Sequence, residues 1–163
     1  MSPPWNWETW QPKERASLLF LFDSDQILLI HKKRGLGAGK INAPGGRLEA
    51  NETFEQAAIR ETFEETGLQV FQLVETAALK FAFVDGYGLD VRAFFAFKHQ
   101  GQPRETAEAL PFWQKTSEIP WSKMWEDDPL WLKPALLGHY VNGRFVFSGD
   151  RMLEYNLELL PRP

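Results

Sequence analysis

Cysteine is absent from this chain of 163 residues. That excludes disulfides, zinc–thiolate centres and thiol nucleophiles as the basis of its fold or chemistry. No apolar run approaches the length needed to span a bilayer. The start, MSPPWNWETWQPKER, lacks the basic residues and apolar stretch of a secretory leader. The expectation is a soluble cytoplasmic protein with no membrane partner. Positive charge is also scarce, with 18 Lys and Arg against 22 Asp and Glu for a net charge of −4. This balance argues against a broad electrostatic grip on nucleic acid, so no stable nucleic-acid partner is expected. An anionic ligand would then need local cations or a bound metal. Repeats and low-complexity tracts are missing too, and the reading is a Trp-rich arm over residues 1–15 followed by one domain over 16–163.

What the chain does hold is aromatic side chains, seven Trp and thirteen Phe, suited to a packed core and to stacking on flat ligands. Trp5, Trp7 and Trp10 follow no helical or strand rhythm, and an arm whose indoles pack on the domain is expected. Ser17–Phe22 and Gln26–Lys32 read as strands around an Asp23-Ser24-Asp25 turn. Their nearly continuous apolar runs suggest a sheet buried on both faces. Residues 32–40, KKRGLGAGK, make a basic, glycine-rich loop able to wrap a phosphate chain, without the spacing of a P-loop. Val70–Val84 and Leu89–Lys98 read as strands, residues 101–109 as a polar loop, and Leu110–Trp113 as a return to the sheet. Asp128 as N-cap and Pro129 behind it predict a second helix, with Leu130, Trp131, Ala135, Leu136 and Leu137 as its packing stripe. Gly143–Phe147 and Met152–Leu159 predict a closing hairpin. Strands flanking two helices in this order argue for the α/β class, a mixed sheet between helices.

The most informative stretch runs from Gly45 to Leu68. Thr53 and Gln56 predict a capping box at a helix start, and Gly67 its end. On a helical projection, Phe54, Ala57 and Ala58 define an apolar arc that takes in Glu61 and Glu65, with Glu64 at its edge. Ile59 and Phe63 fall on the opposite side, which predicts protein on both faces. Acids on an inward face are costly unless something positive neutralises them. Oxygen donors at i, i+3 and i+4 suit a hard divalent cation, Mg²⁺ above all, with Mn²⁺ as the alternative. A Gly45 carbonyl could complete the shell. The competing reading is a solvated face with Arg60 and Glu64 as an i,i+4 pair.

The spacing favours the metal. Gly46, five residues, Glu52, seven residues, then Arg60-Glu61-Thr62-Phe63-Glu64-Glu65-Thr66-Gly67-Leu68 resembles the Nudix box of the Nudix hydrolases. Thr62 departs from it, standing where the family usually carries a larger aliphatic residue. HKKRGLGAGKINAPGGR, KMWEDDPLW and the closing GRFVF…MLEYNL extend the likeness, over roughly residues 16 to 160, to the MutT-homologue branch of oxidised-purine nucleoside triphosphate diphosphatases.

The resemblance implies an α/β/α sandwich and Mg²⁺-dependent hydrolysis of a purine nucleoside triphosphate to the monophosphate and pyrophosphate. Substrates such as 8-oxo-dGTP or 2-oxo-dATP would make this nucleotide-pool sanitation, by a monomer. Glu61, Glu64 and Glu65 match the metal-holding box acids, and Gly45 the backbone ligand. Glu108 resembles an additional acid from a later loop, and Glu61, Glu64 and Glu108 are all candidate general bases. Arg60 and Glu52 match supporting positions. Asn42, Trp125, Asp127 and Asp128 match base-recognition residues, and Phe81 and Leu89 wall positions. Leu36 stands where the branch often has an aromatic residue. Ser17 could offer a hydroxyl to the ligand, and Lys32, Lys33 or Arg34 could steady the triphosphate. Two adjacent buried carboxyls should share a proton, so Asp127 and Asp128 could accept and donate together; the bland alternative is that they only cap the next helix. Two other functions remain, a pyrophosphohydrolase of RNA 5′ ends or dinucleoside polyphosphates and a non-catalytic nucleotide-binding module. The latter would be expected to lose box acids that this chain retains.

Overall fold

The apolar runs become the middle of a nine-stranded mixed sheet in a computed structural model describing residues 6–162. Strand β1 (Glu14–Asp23) lies parallel to β7 (Gly88–Ala96), which pairs antiparallel with β6 (Val74–Phe83). Next come β10 (His139–Ser148), parallel to β6, and the edge strand β11 (Arg151–Pro161). On its other side β1 holds β4 (Gly45–Arg47), with Ser17 opposite Gly46, and turns back into β2 (Gln26–Lys32). Strands β3 (Ile41–Asn42) and β9 (Ala109–Lys115) flank β2. β5 (Gln69–Phe71) and β8 (Lys98–Gln100) form a separate ribbon.

Alternation along β1 sends side chains to two cores. Phe20 and Phe22 join Phe145, Phe147 and Trp131, Leu132 and Ala135 of helix α2 (Asp128–Leu136). Leu19 and Leu21 join Leu28 and Ala58 of helix α1 (Phe54–Thr66) on the other face. The expected sheet between helices is therefore present. β1 and β2 pair only at Phe22–Ile27 and Asp23–Gln26. Beyond that point β1 is bordered by β4 instead, and the main cavity opens where β2 and β4 part.

Helix α1 starts with the full capping box: the Gln56 N–H donates to the Thr53 hydroxyl (3.1 Å) and the Thr53 N–H to the Gln56 side chain (2.9 Å). Gly67 ends it in the left-handed conformation, φ 81°. Several expectations need correction. Phe63 is 43% exposed, because α1 packs one face on the sheet and only Ile59 of the second pair reaches the core. Thr62 is buried with an unpartnered hydroxyl, a polar cost where an aliphatic side chain would fit. Val70–Val84 is two strands, broken at Gln72, whose φ of 58° cannot continue a ladder. Asp128 is not the N-cap: the Asp127 carbonyl accepts from Leu130 and Trp131, so the helix begins one residue earlier. Leu137 is 82% exposed past the helix end, and Leu132 takes its place in the core.

The arm beyond β1 runs across the sheet. Trp10 packs on Gly88 and under the Lys80 ammonium, and Trp7 beside Trp10 and Arg144. Trp5 lies outside the described residues. Among the described residues no helix is long and apolar enough to cross a membrane.

Candidate active site

One end of the main cavity, about 610 Å³ in volume, is a cluster of acids. Glu61 and Glu65 lie one turn apart on α1, and Glu108 arrives on the loop before β9; one carboxylate oxygen of each lies within 4.8 Å of the others. Gly46 makes room for them, since a Cβ there would meet the Glu61 carboxylate carbon at 2.4 Å. Burial, then the charge of Glu61, pushes the Glu65 carboxyl up to about 9. Hard oxygens crowded until one takes up a proton fit a divalent cation, which would replace that proton with positive charge. Glu64 is not part of this cluster. It is half exposed and accepts from Arg60 (3.2 Å), as the i,i+4 reading expected.

Arg60 organises the acids from outside. Its guanidinium donates to both oxygens of Glu52 (2.7 and 2.9 Å), to Glu61 (2.7 Å) and to the Arg47 carbonyl (3.0 Å). The hydrogen bonds from Arg60 hold the Glu52 carboxyl below the usual range. Glu52 also accepts from the Glu49 N–H (2.9 Å), so it braces the loop before α1 and lies outside the cavity lining.

Among Lys32, Lys33 and Arg34, Lys32 is the half-buried one facing the acids. Burial pulls its ammonium below the usual lysine range, against the pull of Glu65 and Glu61. Lys33 is spent elsewhere, on Glu105 and the Thr106 carbonyl. Arg34 stands 3.8 Å from Glu108. Ser17 is buried and its hydroxyl donates to the Phe54 carbonyl at the start of α1. That bond commits its proton, while Ser17 lines the cavity and its hydroxyl oxygen stays free to accept.

The other end of the cavity is aromatic and acidic. Phe81 and Leu89 are cross-strand partners on one wall. Trp125 is held edge-to-face by Phe147 and Phe83 (centroids 5.5 and 6.4 Å) and carries Lys40 over its ring (5.3 Å). Asp127 and Asp128 are almost fully buried behind it. Asp127 accepts from the Trp131 indole (3.0 Å) and Asp128 from the Trp125 N–H (3.1 Å). Burial raises both carboxyls, and Asp127 raises Asp128 further. Asn42 accepts from the Ala43 N–H (2.8 Å), which leaves its –NH₂ as the donor for a ligand. Leu36 is exposed at the rim. Phe83, Val91 and Tyr87 also line the cavity. The first two were legible as the next same-face positions after Phe81 and Leu89, but Tyr87 lies in a turn and gave no such signal.

A NUDIX domain profile matches residues 12–133, most of the chain and every acid of the cluster. The chain belongs to the Nudix family. Two relatives carry the name oxidized purine nucleoside triphosphate hydrolase. The Danio rerio protein is 41% identical over 144 residues, covering 87% of this chain and 92% of the relative. The Mus musculus protein is 37% identical over 143 residues, 86% and 92%. Among solved structures, the MutT protein of Bacillus halodurans superposes with a TM-score of 0.78 at 27% identity, covering 89% of this chain and 97% of its own. Nudix hydrolases generally work with a divalent metal, and the acid cluster is a group of residues that could hold one.

Proposed function

We propose that this Nudix hydrolase cleaves purine nucleoside triphosphates with an oxidised base, 8-oxo-dGTP and 2-oxo-dATP among them, to the nucleoside monophosphate and pyrophosphate. This would place it in nucleotide-pool sanitation, as a cytoplasmic monomer without a stable nucleic-acid partner. The observation that carries the reading is one cavity with three convergent carboxylates at one end and a buried acid pair beside an indole at the other. The names of the relatives support the substrate class.

Glu61, Glu65 and Glu108, with the Gly45 carbonyl, would hold Mg²⁺ or Mn²⁺, and Glu64 would join them only on leaving Arg60. Such an ion, when bound, offsets phosphoryl charge and lowers the pKa of water. Lys32 faces the same end and steadies the polyphosphate. Water attack on the α- or β-phosphorus, with that atom's bond to the oxygen between them breaking, leaves the monophosphate and pyrophosphate, and Glu61, Glu64 or Glu108 takes the proton from the water. The base stacks on Trp125 against the wall formed by Phe81 and Leu89. With one proton between them, Asp127 and Asp128 accept from a ring N–H and donate to a carbonyl oxygen, and Asn42 adds a donor. Both 8-oxoguanine and 2-oxoadenine present a ring N–H beside a carbonyl oxygen, whereas unmodified adenine presents neither.

The test is kcat/KM in Mg²⁺ for 8-oxo-dGTP, 2-oxo-dATP, dGTP, dATP and a dinucleoside tetraphosphate. The oxidised triphosphates should lead. Equal turnover of all five, or preference for the dinucleotide, would refute the reading.

A further inference from the structure

We propose that Thr106 is a positioning residue that sets Glu108 against Glu61 and Glu65, with Lys33 locking the same loop from its other side. The inference rests on reading those three acids as the metal-holding set. Two of them ride on a helix, but Glu108 sits on an irregular loop and its side chain is 48% exposed. Holding a solvated carboxylate in one place costs conformational entropy, so something must order this loop.

Thr106 makes the needed connections. Its hydroxyl donates to the Glu65 carbonyl (2.9 Å) and accepts from the N–H groups of Glu108 (3.3 Å) and Ala109 (3.2 Å). Its own N–H donates to the Ala109 carbonyl (2.9 Å). The Glu65 carbonyl lies in the last turn of α1, where carbonyls lack intrahelical donors. One side chain thus joins the residue that supplies one acid to the backbone that supplies another. From the opposite side the Lys33 ammonium bonds Glu105 and the Thr106 carbonyl (2.8 Å), and the Lys33 N–H donates to the Glu108 carbonyl (2.9 Å). The loop is anchored separately by the Arg104 N–H on the Thr66 carbonyl (2.9 Å). Loss of the Thr106 hydroxyl therefore loosens Glu108 without detaching the segment.

Thr106→Val removes the hydroxyl at constant shape, Thr106→Ser keeps it, and Lys33→Met cuts the other lock. Four quantities are read: Mn²⁺ affinity by electron paramagnetic resonance without nucleotide, the Mg²⁺ dependence of kcat, amide exchange over residues 105–109, and thermal melting. Groups that orient metal ligands typically carry 10–100-fold in affinity. Thr106→Val should weaken Mn²⁺ by about 10-fold or more, raise the Mg²⁺ requirement in parallel and speed exchange at Glu108 and Ala109. Thr106→Ser should stay near wild type. Unchanged Mn²⁺ affinity in Thr106→Val, or equal losses in Thr106→Val and Thr106→Ser, overturns the inference. If Thr106→Val does not fold, Lys33→Met decides: weaker Mn²⁺ binding supports the proposal, and unchanged binding overturns it. A wild-type protein without Mg²⁺-dependent hydrolysis would overturn the reading of the site as well, whereas an active wild type with an indifferent Thr106→Val overturns this inference alone.

Discussion

Gly46→Ala places a single methyl group against the acid cluster. An ideal Cβ at this position lies 2.4 Å from the Glu61 carboxylate carbon and 2.6 and 2.8 Å from its oxygens. Ordinary contact begins near 3.4 Å, so the carboxylate must retreat by about 1 Å, the scale at which misplacement costs about a hundredfold in rate. A free side chain would swing aside at little cost, but Glu61 is held at 2.7 Å by Arg60, which also grips Glu52. The variant should fold and lose about a hundredfold in kcat, measured as pyrophosphate release at saturating Mg²⁺ and nucleotide. Gly45→Ala is expected to act on stability in the first place. There the Cβ would meet the Ser17 carbonyl oxygen at 2.0 Å, and backbone cannot step aside. That overpacking should cost about 3 kcal/mol, or about 10 °C in Tm for a chain of this size. Wild-type kcat in Gly46→Ala would refute the claim that turnover depends on where Glu61 sits.

Three further outcomes are expected. Arg60→Met strips partners from Glu52 and Glu61, whose side chains are only 12% and 14% exposed. It should cost about 3 kcal/mol in urea titrations, the low end for a broken buried network because Arg60 keeps some solvent contact. Arg60 holds Glu52 below the ordinary carboxylate value, so this stabilisation is present above that value and is lost as pH falls through the lowered one; Arg60→Met should flatten the acid limb of the stability curve. Thr53→Ala breaks the capping box and should cost about 1 kcal/mol, read by thermal melting, with kcat retained. Asp127→Asn should reduce kcat/KM for purine triphosphates far more than for a dinucleoside polyphosphate, and equal losses would count against base reading by the acid pair.

The fold was legible where local chemistry and burial agree. The runs around Leu19 and Leu28, the Thr53–Gln56 cap and the Asp85–Gly88 turn each mark their element without distant partners. Placement failed where a tertiary contact decides. Nothing local tells Asp128 to turn its carboxylate back to the Trp125 N–H. Helical spacing put Glu61 and Glu65 together but could not choose between the cavity and Arg60 for Glu64, since an edge position serves either. Thr106 was passed over because a threonine in a polar loop has no pattern: its bonds from the Glu108 and Ala109 N–H groups are local to the loop, and the bond to the Glu65 carbonyl exists only once α1 lies beside that loop.

The handover of β1 from β4 to β2 has a consequence for how such a protein can change. The phosphate-cleaving half is mounted on a strand ladder and one capped helix, where almost any alteration disturbs the whole. On the proposed reading the purine's wall of Phe81 and Leu89 belongs to that ladder as well, and its other contacts hang on residues 36–42 and 124–128, short segments at the ladder's border. Mutation can retune the menu there while the cutting edge stays fixed, so a duplicated copy could acquire a new diet without first losing its bite.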